Sequence, residues 1–328
     1  MSGDINEGVK RGFSPAYILS LDVGTTTLRS HIYDKQCNIK GSSSKKIEII
    51  HPNVGWSEMD PELLVDQVKD CINETIKAAG IEANKVTCLG IATQRATFLT
   101  WDSETGKPYH NLVTWQDLRA SDHVKLWNNS YTMKCLNTGS KLLHFLTRKK
   151  RYLAASVLRF LTKQVTMRLL WFFHNIPKIE WSSIVCNLVN IPMSIFPEVK
   201  DTSGHFGYTN EKFFGAKIPI TAIVADQQSA LFGHCCFEVG DVKCTMGTGT
   251  FVDLNTGNTP HASVAGLYPL IGWKIGDEMT FVAEGQAADT GNVLDWIHSV
   301  GIFDDVTKTA ELAKSVPGLM VVYVIMIL

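Results

Sequence analysis

The sequence predicts an α/β fold, and three observations indicate this class. Residues 17–34 and 243–254 each read as a strand, a turn rich in glycine and threonine, and a second strand. An amphipathic helical pattern lies between them, at residues 60–80. Apolar runs at 86–93 and 220–225 stop abruptly at polar residues, as buried strands do at the ligand-binding edge of a sheet.

The first elements follow from local signals. Residues 17–34 predict a hairpin, and Lys46 to Ile50 predicts another short strand. Asp60 suits a helix N-cap and Pro61 suits the first helical position, and apolar residues recur at helical spacing until Gly80. A single amphipathic helix is therefore expected here.

Later segments are predicted in the same way. Val86 to Thr93 is expected to form a buried strand that ends at Gln94 and Arg95, on the edge where ligands bind. Residues 116–128 and 140–174 are predicted to be helical. Residues 176–210 are predicted to form mostly loop, with one short helix at Ile184–Val189.

Composition restricts the class of protein. The chain has 328 residues, of which 45% are hydrophobic and 19% are charged, and this is typical of a globular protein of up to two domains. A net charge of -1 gives no electrostatic basis for binding nucleic acid or a membrane surface. The eight cysteines form no CxxC pair, and no apolar run reaches the length of a membrane span. We expect a soluble, cytoplasmic protein.

The turn after the first strand has the chemistry of a phosphate site. Asp22 would be costly at a buried strand end without a cation or hydrogen-bond donors beside it. Gly24 permits close approach of a ligand to the backbone, and Thr25, Thr26 and Thr27 add hydroxyl groups. The alternative is an ordinary hairpin turn. The second glycine-threonine turn, and a second strand-end carboxylate at position 226, favour the phosphate interpretation.

Six segments resemble the FGGY carbohydrate kinases and, among them, the glycerol kinases. They are LDVGTTTLR, PNVGWSEMDP, GIATQRATFLTWDSETGKPYHNLVTWQDLR, IPITAIVADQQSALFG, GDVKCTMGTGTF and VAEGQAADTGNVLDWI. The resemblance implies an actin/hexokinase-like (ribonuclease H-like) ATPase fold of two lobes. It also implies that ATP and Mg²⁺ bind with a small polyol or sugar, whose hydroxyl is phosphorylated.

The resemblance assigns roles to particular residues. Asp226 corresponds to the catalytic base that accepts the proton of the attacking hydroxyl, and its alternative role is that of a helix N-cap. Asp22 and Asp226 correspond to the residues near the metal. The residues that would contact the nucleotide are Thr25, Thr26, Thr27, Arg29, Thr248 and Gly291. The residues that would contact the substrate are Arg95, Trp115, Asp226 and Gln227.

The chain also departs from the family pattern. Ala96 stands where glycerol kinases carry a glutamate that binds substrate, so a polyol or sugar is expected without commitment to glycerol. A family segment is missing near 174–180, and the uncharged tail Leu319–Leu328 replaces most of the second lobe. The predicted division is a disordered N-terminus at 1–14, an N-terminal lobe at 15–255, and the truncated start of a C-terminal lobe at 256–328.

Two functions therefore compete. The first is an ATP-dependent carbohydrate kinase, impaired in this truncated form and compatible with a homo-oligomer. The second is a non-catalytic nucleotide-binding or regulatory form, or an unstable truncated product. Binding of Mg-ATP without turnover would favour the second.

Overall fold

The structure is a computed structural model that describes residues 16–162, 197–247, 249–261, 267–287 and 290–315. The chain divides into two compact units. The first contains the described parts of Met1–Cys135, Arg159–Asp226 and Lys274–Asp277, and the second contains those of Leu136–Leu158, Gln227–Trp273 and Glu278–Leu328. Several predicted features lie outside the described residues: the N-terminus 1–14, residues 163–174 of the helix predicted at 140–174, the junction near 174–180, residues 176–196 of the predicted loop with its helix at Ile184–Val189, Thr248, and the tail Leu319–Leu328.

A mixed sheet forms the centre of the first unit. The described strands of this unit are β1 (Tyr17–Val23), β2 (Thr27–Tyr33), β3 (Ile39–Lys46), β4 (Glu58–Met59), β5 (Val86–Thr93), β6 (Leu112–Val113) and β7 (Ile220–Ala225). Five of them form a sheet in the order β3-β2-β1-β5-β7, and β4 pairs with β6. Strands β1, β2 and β3 are antiparallel neighbours, whereas β5 and β7 run parallel to β1. The predicted hairpin and both predicted strands are confirmed, but the expectation that the second strand is buried is wrong, because β7 has no buried residue and is an outer strand of the described sheet.

The third strand lies elsewhere than predicted. The expectation of a strand at Lys46–Ile50 is wrong, because the strand is Ile39–Lys46 and Ile50 makes only an isolated bridge to Glu58. β3 has the sequence IKGSSSKK, in which serine and lysine obscure the alternation that marks a half-buried strand. Its outer position in the sheet explains this composition, since edge strands tolerate polar and charged residues.

The predicted amphipathic helix is present as α1 (Pro61–Ala79). The Asp60 side chain accepts hydrogen bonds from the backbone N–H groups of Glu62 and Leu63, at 2.8 and 3.1 Å. Gly80 ends the helix with a left-handed φ of 64°, which glycine adopts without strain. The helix packs on β2 and β3, and its buried face consists of Cys71, Ile72, Thr75 and Ile76.

Close packing of α1 on β3 depends on Gly41. A Cβ atom at position 41 would lie 2.5 Å from both Thr75 O and Ala79 N. Gly41→Ala is therefore expected to displace the helix and lower the free energy of unfolding by about 1–3 kcal/mol. Urea denaturation would measure the change. The control is Gly90→Ala in β5, where a Cβ would meet only Ala222 Cβ at 4.0 Å, and equal stability of the two variants would contradict the prediction.

The second unit contains a four-stranded sheet and two helices that carry the predicted site residues Gln227 and Gly291. Its strands are β8 (Val242–Met246), β9 (Thr250–Gly257), β10 (Tyr268–Ile275, which runs into the first unit at Lys274) and β11 (Glu278–Ala287), in the order β10-β11-β9-β8. Its core contains Leu231, Trp273 and Val282. β8 and β9 are antiparallel neighbours, so the predicted strand-turn-strand unit at 243–254 is confirmed.

The remaining helices refine two predictions. They are α2 (Ser121–Asn129), α3 (Tyr131–Thr147), α4 (Lys150–Ser156), α5 (Glu211–Phe214), α6 (Asp226–Gly233), α7 (Gly291–Ser299) and α8 (Thr309–Ser315). The helix expected at 116–128 begins later, because Asp117 serves as a buried hydrogen-bond acceptor in the preceding loop. The helix expected at 140–174 starts at Tyr131 and is broken at Arg148, which has a φ of 55°. No helix in the described ranges is long and apolar enough to cross a membrane.

Candidate active site

Polar residues of the first unit gather at one edge of its sheet. Strands β1, β5 and β7 are parallel neighbours, so their carboxyl ends share this edge, which is where ligands bind in open α/β sheets. Asp22 lies near the end of β1, Gln94 and Arg95 follow β5, and Asp226 follows β7. The structure thus places three predicted site residues, Asp22, Arg95 and Asp226, along one edge.

Asp226 and Arg95 form an ion pair. Arg95 Nε lies 3.7 Å from Asp226 Oδ1, and the two side chains are 24% and 31% exposed. Asp226 is also the first residue of α6. The carboxylate therefore sits beside a fixed cation and is still accessible, as a group that must meet a substrate hydroxyl requires.

The turn between β1 and β2 is closed by its own backbone. Gly24 N–H donates to Thr27 O at 3.1 Å, and Ile47 N–H donates to Thr26 O at 2.9 Å. A Cβ atom at Gly24 would lie 2.8 Å from Thr27 O, so only glycine fits this position without displacing the turn. The tight turn holds Thr25 and Thr26 at the end of β1.

Asp22 and Arg29 face each other across the hairpin. They are directly paired in the register of β1 and β2, and Arg29 Nη1 lies 3.4 Å from Asp22 Oδ2. The Arg29 side chain is 53% exposed and the Asp22 side chain is 42% exposed, and exposed pairs of this kind contribute little to stability. Asp22, the predicted metal residue, and Arg29, a predicted nucleotide residue, therefore form a weak ion pair. Replacing this pair by contacts to a ligand would cost little free energy.

Gln94 joins the turn to the segment that carries Trp115. Its Oε1 accepts hydrogen bonds from Thr25 Oγ1 at 3.1 Å and from Thr97 Oγ1 at 3.0 Å. Its Nε2 donates to Gly24 O at 3.0 Å. Trp115 Nε1 in turn donates to Thr25 Oγ1 at 2.9 Å. A predicted substrate residue and a predicted nucleotide residue are thus directly bonded, which the sequence pattern does not indicate.

A buried charge network supports the loop that carries Trp115. Arg119 donates to Asp117 and Glu58 at 2.7–2.8 Å, and Ser57 N–H donates to Asp117 Oδ2 at 2.7 Å. Burial by itself lowers the pKa of Arg119, but the hydrogen bonds to Asp117 and Glu58, together with the negative charges of these two carboxylates, raise the pKa above its usual value. Arg119 also stacks on Trp56 at 4.0 Å. In the sequence, the signal for this network is the charged residues of two motifs that resemble the family: Glu58 in PNVGWSEMDP, and Asp117 and Arg119 at the end of the motif that contains Trp115. No role was predicted for these three residues.

The second unit brings its two predicted nucleotide segments together. Gly247 N–H donates to Gly249 O at 2.9 Å, which joins the end of β8 to the residue before β9. Gly291 N–H donates to Gly247 O at 3.0 Å, which attaches the start of α7 to the end of β8. Gly291 therefore lies beside the second glycine-threonine turn, and both were predicted to contact the nucleotide.

A buried lysine holds Gln227. Lys243 Nζ donates to Gln227 O at 3.1 Å and to Gln227 Oε1 at 2.9 Å. It also lies 3.0 Å from Asp253 Oδ2, a charge contact rather than an aligned hydrogen bond, with side chains only 5% and 3% exposed. Lys243 and Asp253 are cross-strand partners in β8 and β9. Their symmetrical placement about the turn in KCTMGTGTFVDL is the sequence signal that could have revealed the pair.

Few carboxylates among the described residues are placed to bind a metal ion. Within the described ranges, no group of three or more His, Cys, Asp or Glu side chains could hold a metal ion. Asp22 lies on β1 and Asp226 directly follows β7, and β5 lies between these two strands, so strand spacing separates the two backbones by at least about 10 Å. Mg²⁺ in phosphate-transferring sites is usually held by one or two carboxylates and by substrate phosphates, so these donors suit Mg²⁺ that arrives with a nucleotide.

The sheet order and the turns define the class of protein. The fold is that of the actin and hexokinase type, as the sequence predicts, and solved sugar kinases share it. Residues 17–150 match the N-terminal domain of the FGGY family of carbohydrate kinases. The chain belongs to this family, whose members are phosphotransferases.

Individual relatives are similar over nearly the whole chain. Glycerol kinase 5 of Homo sapiens is 42% identical over 96% of this chain and 69% of its own length. The Bos taurus protein of the same name is 45% identical over 91% of this chain, which spans 65% of that relative. The crystal structure of Plasmodium falciparum glycerol kinase with ADP superposes with a TM-score of 0.76 and 25% identity, over 92% of this chain and 67% of that one.

Proposed function

We propose that this chain acts as an ATP-dependent kinase that phosphorylates a hydroxyl group of a small polyol or sugar. The observation that carries the proposal is the Arg95–Asp226 pair at the sheet edge that also bears Asp22 and the Gly24–Thr27 turn. Family membership and the ADP-bound Plasmodium falciparum relative support ATP as the co-substrate.

In the proposed reaction Asp226 is the general base. The substrate hydroxyl oxygen attacks the γ-phosphorus of ATP, the bond from that phosphorus to the bridging β-γ oxygen breaks, and ADP leaves. Asp226 accepts the hydroxyl proton, and Arg95 at 3.7 Å orients its carboxylate and offsets the negative charge. The products are ADP and a phosphate monoester of the polyol or sugar.

The remaining residues divide between nucleotide and substrate. The turn residues Thr25, Thr26 and Thr27, with Arg29, Thr248 and Gly291, are assigned to the nucleotide phosphates. Mg²⁺, held by Asp22 and Asp226, would neutralise phosphate charge when bound. Arg95, Trp115 and Gln227 are assigned to the substrate hydroxyl groups.

Ala96 keeps the substrate class broad. It occupies the place of the glutamate expected in glycerol kinases, and it adopts a left-handed φ of 58°. A methyl group cannot accept the hydrogen bond that a carboxylate would, so specificity for glycerol itself is not part of the proposal.

Three expectations stay predictions and accompany this proposal. They are the division into lobes at residues 15–255 and 256–328, a cytoplasmic location, and compatibility with a homo-oligomer. The second function, a non-catalytic nucleotide-binding form, uses the same phosphate turns, and the experiment below separates the two.

Calorimetric titration with Mg-ATP, followed by a coupled assay for ADP release against a panel of polyols and sugars, tests the proposal. We expect saturable binding that Asp22→Asn weakens strongly and that Asp66→Asn, at an exposed carboxylate on α1, leaves intact. Turnover with one member of the panel would support the kinase. Binding without turnover would support the non-catalytic form, and a folded chain that binds no Mg-ATP would overturn both.

A further inference from the structure

The side-chain amide of Gln94 is buried, and both its oxygen and its nitrogen form hydrogen bonds. The residue is 8% exposed and follows β5 at the edge that bears the candidate site. Its oxygen accepts from two hydroxyl groups, and its nitrogen donates to Gly24 O at 3.0 Å and approaches Met59 Sδ at 3.5 Å. Because the oxygen and the nitrogen of this buried amide both have hydrogen-bond partners, the Gln94 side chain has one orientation.

The hydrogen bonds around Gln94 close into a ring with Trp115. Trp115 Nε1 donates to Thr25 Oγ1 at 2.9 Å, and Trp115 backbone N–H donates to Thr97 Oγ1 at 3.2 Å. The same two hydroxyl groups donate to the one oxygen atom of Gln94, at 3.1 and 3.0 Å. Gln94 Oε1 is therefore the common acceptor of two chains that both start at Trp115.

The chemistry of the groups determines the direction of each bond. Indole and backbone N–H groups can only donate, so the two threonine hydroxyls accept from Trp115. Each hydroxyl has a single hydrogen, and both are directed to Gln94 Oε1. The hydroxyl hydrogen of Thr25 is thus committed to Gln94, and the Thr25 side chain has only acceptor capacity left for a ligand.

We propose that Gln94 is a positioning residue that couples the nucleotide turn to Trp115. A phosphate at the Gly24–Thr27 turn can take a hydrogen bond from Thr25 only if Thr25 releases Gln94, and this release disturbs the bond from Trp115. Occupancy of the turn is therefore transmitted to Trp115 by two routes, directly from Thr25 Oγ1 and through Gln94 Oε1 and Thr97 Oγ1. The inference rests on the proposed function, because it assumes that a nucleotide binds at this turn.

The test uses ¹⁹F NMR of protein labelled with 5-fluorotryptophan. The chain has eight tryptophans, and Trp115→Phe assigns the resonance of residue 115. We expect Mg-ADP to shift this resonance in the wild-type protein. Gln94→Met keeps the volume and removes the common acceptor of the two hydroxyl hydrogens, so it is expected to reduce the shift, and an undiminished shift would overturn the role of Gln94. It also frees the Thr25 hydroxyl to donate to a phosphate, so Mg-ADP is expected to bind no more weakly than to the wild-type protein.

Gln94→Glu is the matched variant. A carboxylate still accepts from Thr25 and Thr97 but cannot donate to Gly24 O, so the Trp115 shift is expected to persist. The resonances of the other tryptophans report whether each variant is folded, and if Gln94→Met does not fold, Thr97→Val removes one of the two chains and is expected to reduce the shift. Saturable Mg-ADP binding with an unmoved Trp115 resonance in the wild type would overturn the coupling alone. Absence of Mg-ADP binding would overturn the proposed function and this inference with it.

Discussion

Asp226→Asn is expected to lower kcat by about 10²- to 10⁴-fold, the usual contribution of a positioned general base. The amide has nearly the shape of the carboxylate but cannot accept the hydroxyl proton, so the loss should appear in the chemical step. Steady-state kinetics with the substrate that turns over best, together with calorimetry for Mg-ADP, would separate this loss from a loss of nucleotide binding.

A matched control is available on the same unit. Asp66 pairs with Lys69 at 2.8 Å on α1, and its side chain is 70% exposed, so Asp66→Asn removes a carboxylate from an ion pair on a helix that carries no proposed site residue. This variant is expected to keep the wild-type kcat. An Asp226→Asn protein as active as the control would remove Asp226 from the mechanism, while leaving the nucleotide turn as a separate question.

Lys243→Met is expected to lower the free energy of unfolding of the second unit by about 3–5 kcal/mol, because removal of one partner leaves a buried charge uncompensated. The side chain of Asp253 is 3% exposed, and Glu284, directly opposite it on β11, is 0% exposed. Two neighbouring carboxylates would then share a buried strand face without the lysine. Urea denaturation followed by the fluorescence of Trp273, which is 2% exposed in this unit's core, would measure the loss.

The surface pair Lys274–Asp201 provides the comparison for this prediction. Its nitrogen–oxygen distance is also 3.0 Å, but its side chains are 36% and 41% exposed. Lys274→Met is therefore expected to cost at most about 1 kcal/mol, as exposed ion pairs do. If Lys243→Met and Lys274→Met lower the free energy of unfolding equally, burial does not explain the contribution of Lys243 to stability.

Prediction from sequence succeeded where a signal is confined to one element. The helix α1 has its N-cap, its proline and its terminal glycine within the segment itself, and its bounds follow from them. The strands β5 and β7 are largely apolar runs that are followed by polar residues. β3 was misplaced because its serines and lysines give no such signal, and only pairing with β2 makes it a strand.

By itself, the sequence determined the α/β class, the glycine-threonine turns, the strand-end carboxylates and the family, because each is written in a short stretch of neighbouring residues. Only the tertiary structure decided that Asp226 meets Arg95, that Lys243 holds Gln227, and that Gln94 joins Thr25 to Trp115. Thr25 is 69 positions from Gln94 and 90 from Trp115, and no local period relates residues so far apart. Their contact arises when parallel strands align their carboxyl ends, since sheet pairing then brings distant loops to one edge.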